Sequence, residues 1–356
     1  MQPVFSPVAR FLLIMAAFII VVAGMRAAES LLVPFLLSLF IAVVVTPLLS
    51  WLNRRGVPNG LSILLIVIMI VIIGFFIGAI VGSSINSFRG DLPEYQARLL
   101  SLSDGVQQKL AAMGITIDPS LWRETFNPSA ALGMAGNTLA AFGNIMTNGF
   151  LILLTVMFIL AEEVNFSDKL RQAIPGGDKT FQALENFTQS VNKYMAMKTM
   201  VSLLTGFIIM VSLFFIGVDY YVLWGLLAFL LNFIPTLGSI LAAIPAVLLA
   251  IVQLGVPEAM ATAAVFLAVN TIVGNILEPR IMGKGLNLSS LVVFLSLVFW
   301  GWILGPVGML LSVPLTMTVK IALESFEDTY WVGVMLGSGN GIADKVSVDN
   351  NDQQIA

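Results

Sequence analysis

The sequence predicts an all-α, polytopic transmembrane helical bundle of about eight membrane segments, and three observations carry that prediction. Of 356 residues, 58% are hydrophobic and 10% are charged, against about 25% charged in an average soluble domain. Uncharged runs long enough for the roughly 30 Å hydrocarbon core recur along the whole chain. Cys and His are both absent, which removes disulfides, N/S zinc sites, thiol nucleophiles and His-dependent acid–base chemistry. Most enzyme classes lose their usual residues at once, so no catalytic residue, cofactor or metal is expected. With 17 basic and 20 acidic residues and no basic patch, the lipid bilayer is the expected partner and nucleic acid is not.

The uncharged runs are 11–25, 31–53, 61–88, 125–161, 199–218, 220–257, 259–277 and 285–319. The first follows Arg10 like a signal peptide, but the second comes straight after it, so both read as retained helices. Pro34, Ser38, Thr46 and Pro47 interrupt the second as hinge or packing positions. Within 89–124, Tyr95, Leu99, Leu102, Val106, Leu110 and Met113 alternate spacings of three and four, the mark of an amphipathic helix. A second such helix is expected over 178–198, after Pro175-Gly176-Gly177 and with Asp178 as its N-cap. Lys198 then opens the fifth membrane helix, where its long stem lets it snorkel to the interface. The resulting division is membrane helices 1 to 3 over 1–88, an external region 89–148, membrane helix 4 over 149–162, a cytoplasmic amphipathic region 163–198, a transport region 199–324 and a polar tail 325–356.

Orientation follows from the Lys and Arg positions, because cytoplasmic loops carry the excess. A cytoplasmic N-terminus makes 89–124 external. The run 220–257 is long for one helix and contains Pro235, Gly238 and Pro245. If it crosses once, Arg280 and Lys284 fall outside. If 220–257 and 288–320 are instead re-entrant hairpins, only Arg26, Arg89, Arg98, Lys109 and Arg123 lie outside, and both termini are cytoplasmic. The hairpin topology is preferred.

Irregular backbone at membrane depth is tolerated where protein buries it or where it lines an aqueous cavity, so the broken segments are the site candidates. The first runs from Asn232 through Pro235, Thr236, Gly238 and Ser239 to Pro245; the second runs from Trp300 through Gly305, Pro306 and Gly308 to Ser312 and Pro314. Paired Gly/Pro-interrupted segments point to a transporter site built from internal repeats. The alternative is a pair of ordinary kinked helices packing through small residues. Between them, Asn270 and Asn275 place amides at membrane depth, where they need partners or water. Glu278 is either a juxtamembrane charge paired with Arg280 in water or an ionisable group at the end of a substrate or proton path. Asn232, Thr236, Ser239, Asn270, Asn275, Glu278 and Ser312 are therefore the candidate substrate-binding residues, with Pro235, Gly238, Pro245, Gly305, Pro306 and Gly308 as hinge or close-approach positions. The clustering of breaks after residue 230 suggests that both broken segments and 259–277 move as one unit. No phosphate-cradling motif is present, so transport would be gradient-driven or passive.

The runs LWGLLAFLLNFIPTLGSILAAIPAV (223–247), GNILEPRIMGKGLNLSSLVVFLSLVFWGWILGPVGMLLSVPLTMTVKIALE (274–324) and LLVPFLLSLFIAVVVTPL (31–48) resemble the autoinducer-2 exporter family. The resemblance is close from about 190 to 324 and loose through 89–148. It implies a bacterial inner-membrane protein that exports the quorum-sensing signal autoinducer-2, and the broken segments point to alternating access as the mode of export. It also implies a homo-oligomer, with a pentamer as the candidate assembly. Sodium/proton antiport, which the resemblance attaches to relatives, is the alternative function, and a non-transporting membrane scaffold is the third. A small neutral polyol is held by Asn, Ser, Thr and backbone groups, which is what the broken segments supply, whereas a cation antiporter calls for carboxylates at depth.

Overall fold

The computed structural model describes residues 6–114, 149–173, 178–235, 237–282, 288–324 and 328–337, and among these the chain is helical with no strand. Helix α1 (Pro7–Ala27) starts at Ser6, whose hydroxyl accepts from the Ala9 N–H at 3.2 Å, with Pro7 in the first position where its missing N–H costs nothing. Helix α2 (Glu29–Arg54) runs unbroken through Pro34 and Pro47, although both were expected to interrupt it. The Ser38 hydroxyl donates to the Pro34 carbonyl (2.6 Å) and the Thr46 hydroxyl to that of Ala42 (2.9 Å), side-chain bonds of the kind that re-satisfy a Pro-containing membrane helix.

Two expected boundaries are absent. The third membrane helix and the amphipathic stretch after it form one 54-residue helix, α3 (Asn59–Ala112), passing through Pro93. At 1.5 Å per residue it is about 80 Å long, so it extends far beyond any bilayer. The expected amphipathic helix 178–198 and the fifth membrane helix likewise merge into α5 (Asp178–Ile216), while α4 (Gly149–Ala173) carries the fourth. At both junctions the hydrophobic pattern changes while the backbone continues, in α3 despite Gly90 and Pro93. The rest of the external region, 115–148, the turn Pro175-Gly176-Gly177, Thr236, Lys284 and the tail from 338 lie outside the described residues.

The chain divides into two compact units, one from 1–47, 154–194 and 284–356, the other from 48–153 and 195–283. The two broken segments and 259–277 were expected to form one moving body, but this division puts the second broken segment in the first unit and the other two elements in the second.

In the second unit the run 220–257 folds back on itself. Helices α6 (Tyr221–Leu231) and α7 (Leu237–Gln253) are the arms of a hairpin whose tip is Asn232–Pro235. Its ends meet at the base, where the Asp219 N–H donates to the Gln253 side chain at 2.9 Å and the Gln253 amide donates to the Gly217 carbonyl at 3.1 Å. A single kinked crossing would set those ends on opposite faces. The 11 residues of α6 rise only about 16 Å, roughly half the hydrocarbon core. The arms approach closely because Gly238 faces the Leu231 carbonyl, where a Cβ would overlap the oxygen. Gly206 of α5 and Gly225 of α6 meet backbone to backbone in the same way, the close packing that small residues permit in membranes. Pro245 is buried within α7.

The hairpin base is tied to α3. Tyr95 donates to Asp219 (3.1 Å), Tyr220 to Asp91, and Arg98 to the Gln253 carbonyl (2.6 Å). Tyr220 takes a left-handed backbone (φ 58°), a conformation that costs a non-glycine residue about 1 kcal/mol or more and persists where its surroundings fix it. Here its ring packs edge-on against Phe88. Burial, and then the bond to Asp91, push its phenol well above the ordinary range, so it remains a donor.

The core of this unit gathers Trp224, Leu213, Leu227, Ala242 and Ala246, and the Trp224 indole donates to the Asp219 carbonyl. After α7, the chain returns as α8 (Val256–Val269), an eight-residue π-helical segment (Asn270–Leu277) and the short α9 (Glu278–Met282).

In the first unit, α10 (Ser290–Glu324) is a second hairpin. Gly305, at φ 62° and ψ −149°, breaks it into two arms. The Trp300 indole donates to the Thr316 hydroxyl at 3.0 Å, whereas 16 residues of straight helix would separate them by about 24 Å. Gly308 faces the Trp300 carbonyl as Gly238 faces that of Leu231, and Pro306 opens the returning arm. At the tip, the Arg26 guanidinium lies 4.3 Å from the Trp302 ring centre, and Glu29 stands against Gly305. The last helix, α11 (Tyr330–Met335), packs on α10 through Gly333 against Glu324.

Both units expose large apolar side chains: in the second, Phe150 and Phe215 are each 80% exposed, and in the first, Leu31 is 74% exposed. Among the described residues, five helices are long and apolar enough to cross a membrane, and the hairpin arms α6 and α7 are among the shorter apolar ones.

Candidate transport site

The tip of the first hairpin is held by Asn232, whose amide donates to the Ser202 hydroxyl of α5 at 2.9 Å. On α5, Lys198, Ser202, Thr205 and Ile209 recur at spacings of four, three and four and so share one face. That face, the hairpin and the α8–π segment enclose a cavity of about 10 Å³, the room of a single water, whose polar lining is Thr205, Asn232, Ser239 and Asn270. Every polar group there is uncharged. Ser239, Phe266 and Asn270 also line an adjoining groove of about 370 Å³, whose walls are otherwise apolar, including Ile240, Ile244 and Leu267. Cavity and groove together join a hydrogen-bonding end to an apolar flank.

The π-helical segment sets the far wall. Widening the helix from i→i+4 to i→i+5 bonding is rare, and such turns are concentrated at functional sites. The widened turn ends where the Glu278 N–H donates to the Val273 carbonyl. Gly274 leaves room for the Asn270 amide, whose oxygen would stand 3.2 Å from a Cβ at that position.

At the end of this segment Glu278 meets Lys198 of α5 at 2.5 Å. Their side chains are 19% and 5% exposed, so the pair is withdrawn from solvent. The carboxylate's partner is Lys198, and Arg280, the candidate partner in sequence, is exposed. Lys198 had been assigned to the interface. Its spacing to Ser202 and Thr205 was the signal that it belongs to the same polar face.

The structure thus gathers Asn232, Ser239 and Asn270 at one cavity, with Glu278 beside it. Asn275 is exposed and outside the cavity lining, because the widened turn changes the angular relation that an α-helix would give it to Asn270. Ser312 belongs to the other unit, buried within α10, and its hydroxyl donates to the Met309 carbonyl. Ser202, Thr205 and Lys198 are additions that the sequence reading did not place here. Among the described residues, no cluster of acidic side chains could hold a metal ion.

Residues 11–328 match the model of the AI-2E family transporters. The chain is 40% identical to the AI-2 transport protein TqsA of Escherichia coli K12, over 93% of this chain and 96% of that protein. It is also 40% identical to a candidate transport protein of Haemophilus influenzae (92% and 96% covered) and 35% identical to the candidate transport protein YhhT of Escherichia coli K12 (92% and 94%). With a match over nearly its whole length and five helices able to span a bilayer, the chain is a multi-pass membrane protein that belongs to the AI-2E transporter family.

Proposed function

We propose that the protein exports autoinducer-2 across the bacterial inner membrane by gradient-driven or facilitated alternating access, with cargo bound at the tip of the first hairpin. The observation that carries this reading is the uncharged polar lining of the cavity, Thr205, Asn232, Ser239 and Asn270. Amides and hydroxyls donate and accept in all directions, which matches a small polyhydroxylated solute and offers nothing to compensate a lone charge. The similarity to TqsA, named as an AI-2 transport protein, supports the same cargo. The single-water size of the cavity fits an occluded state that opens by displacement of the hairpin tip.

In this reading the termini are cytoplasmic, the base of the first hairpin is external, and the protein works as a homo-oligomer, with the pentamer as the candidate assembly. A second reading, sodium/proton antiport, is favoured by the withdrawn Lys198–Glu278 pair, because ionisable groups in membrane segments mark ion and proton paths.

Uptake of labelled autoinducer-2 into proteoliposomes, repeated with imposed proton and sodium gradients, separates the two. Export predicts saturable movement of the signal. Cation flux with no movement of the signal would establish the antiporter instead.

A further inference from the structure

The groove beside the cavity has a direction. Helices α7 and α8 are joined by Leu254-Gly255 alone, so they run antiparallel, and Ser239 near the start of one lines the same cavity as Asn270 just past the end of the other. From that polar end two apolar stripes run back along the helices, Ile240, Ile244 and Val247 on α7 and Ala263, Phe266 and Leu267 on α8. Each stripe keeps to one helix face, and on α7 it extends from Ser239 to Leu248, about 13 Å of helix. The groove's volume of about 370 Å³ is that of a small-molecule site, and such sites are mostly apolar with a few polar groups that fix orientation.

Depth and charge select the occupant. Ser239 is about 20 Å of helix from Gln253 at the hairpin base, where Asp91, Arg98 and Asp219 mark the water-facing end. The polar end of the groove therefore lies at membrane depth. Among the described residues that line groove and cavity, none is charged. A phospholipid has the opposite arrangement, with a charged head that stays at the surface, and a charge brought to this depth would meet no partner here. Ile240, Ile244 and Leu267 are exposed, so the groove opens along its flank. An aliphatic chain gains little by leaving lipid for such a flank. A hydroxyl or amide at the same depth has no partner in hydrocarbon, and Ser239 and Asn270 supply one, so the head decides what is held.

We propose that the groove is an alkyl-chain subsite, through which the protein also takes uncharged amphiphiles, the hydroxyl- or amide-bearing head at Ser239 and Asn270 and the linear aliphatic chain between α7 and α8. The inference rests on the transport reading of the adjoining cavity and widens its substrate class: a bare polyol uses the polar end alone, and an amphiphile uses the polar end and the groove together.

The test uses the purified full chain in phospholipid nanodiscs and a decane diol with vicinal hydroxyls at one end and a diazirine at the other. Illumination and peptide mass spectrometry are expected to place the label on Val247, Leu248 or Ala263, away from the polar pair. Excess unlabelled diol should abolish that labelling, whereas decane, the chain without the head, should leave it unchanged. Ala263→Phe, which fills the groove, should lower it about tenfold or more, and Asn270→Leu, which removes a partner of the head, about two- to tenfold. Ala261→Phe, at an exposed position of α8 outside the groove, should keep it. Labelling that decane displaces as well as the diol does, or that persists in a folded Ala263→Phe protein, would mean that membrane lipid fills the groove and would overturn the proposal. An unlabelled groove would mean that a neighbouring copy covers it, with the same consequence. Groove labelling that autoinducer-2 fails to displace, in a protein that does not move autoinducer-2, would overturn the cargo reading alone.

Discussion

Asn232 at the tip of the first hairpin donates to Ser202 at 2.9 Å, and Ser202 lies one turn of α5 from Lys198, which holds Glu278 at 2.5 Å. The hydrogen bond that fixes the tip and the ion pair that ends the π segment therefore share one helix face. Movement of either is felt at the other through α5.

That relationship predicts non-additive substitutions. Removing one neutral hydrogen bond costs about 0.5 to 1.5 kcal/mol, so Ser202→Ala and Asn232→Leu should each slow transport roughly two- to tenfold with expression unchanged. The double variant should be little worse than the more affected single one, because both remove the same bond. Initial transport rates in the four proteins, normalised to folded protein, check this.

Gly238→Ala and Gly308→Ala should destabilise the protein by about 1 to 3 kcal/mol, since each new methyl meets a backbone carbonyl that cannot move aside without opening its hairpin. Gly74→Ala is the control: nothing lies near its Cβ position, and within a helix the change should stabilise by about 0.5 to 1 kcal/mol. Thermal unfolding of the three variants in detergent reads the difference.

Gly305→Ala is expected to act through backbone conformation. The site has open space, with Glu29 as the near neighbour at 3.5 Å, but φ 62° with ψ −149° is a region that only glycine occupies freely. The variant should lose about 1 to 3 kcal/mol of stability, and Gly305→Asn should not rescue it, because asparagine tolerates the left-handed helical region and not this one.

How far the sequence anticipated these features depends on their physical origin. The broken segments at 235–245 and 305–314 were legible because each combines proline with a glycine at a close approach or a positive φ, and both are hairpins, whereas Pro34, Pro47 and Pro93 alone leave their helices unbroken. The fusion of α3 and of α5 across their expected boundaries was not. Amphipathic and apolar stretches both have helical periodicity, and Gly90 and Pro93 at the α3 junction do not stop the helix. Among candidate site residues, Asn232, Ser239 and Asn270 were found from polarity at membrane depth. Asn275 is separated from them by a π turn, which leaves no mark in residue type, and the partner of Glu278 lies 80 residues away. A lysine at the start of an apolar run looks the same whether it snorkels or pairs.

The meeting of Asp219 with Gln253 places both ends of the first hairpin on one side. In the cysteine-free chain, Val256→Cys should react with an impermeant thiol reagent added outside intact cells. Arg280→Cys should react only after the membrane is opened, because α8 and the π segment carry the chain across. Both positions are exposed in the fold, so reactivity reports sidedness.

The central claim, that the cavity at the hairpin tip carries autoinducer-2, is tested most directly by saturable transport of labelled autoinducer-2 in proteoliposomes holding wild type or the Asn232→Leu/Asn270→Leu double variant. These two amides come from different elements and meet at one cavity, so losing both should compound to a fall of roughly tenfold or more, with folding and assembly intact. A well-folded double variant that moves the signal at the wild-type rate would contradict the account.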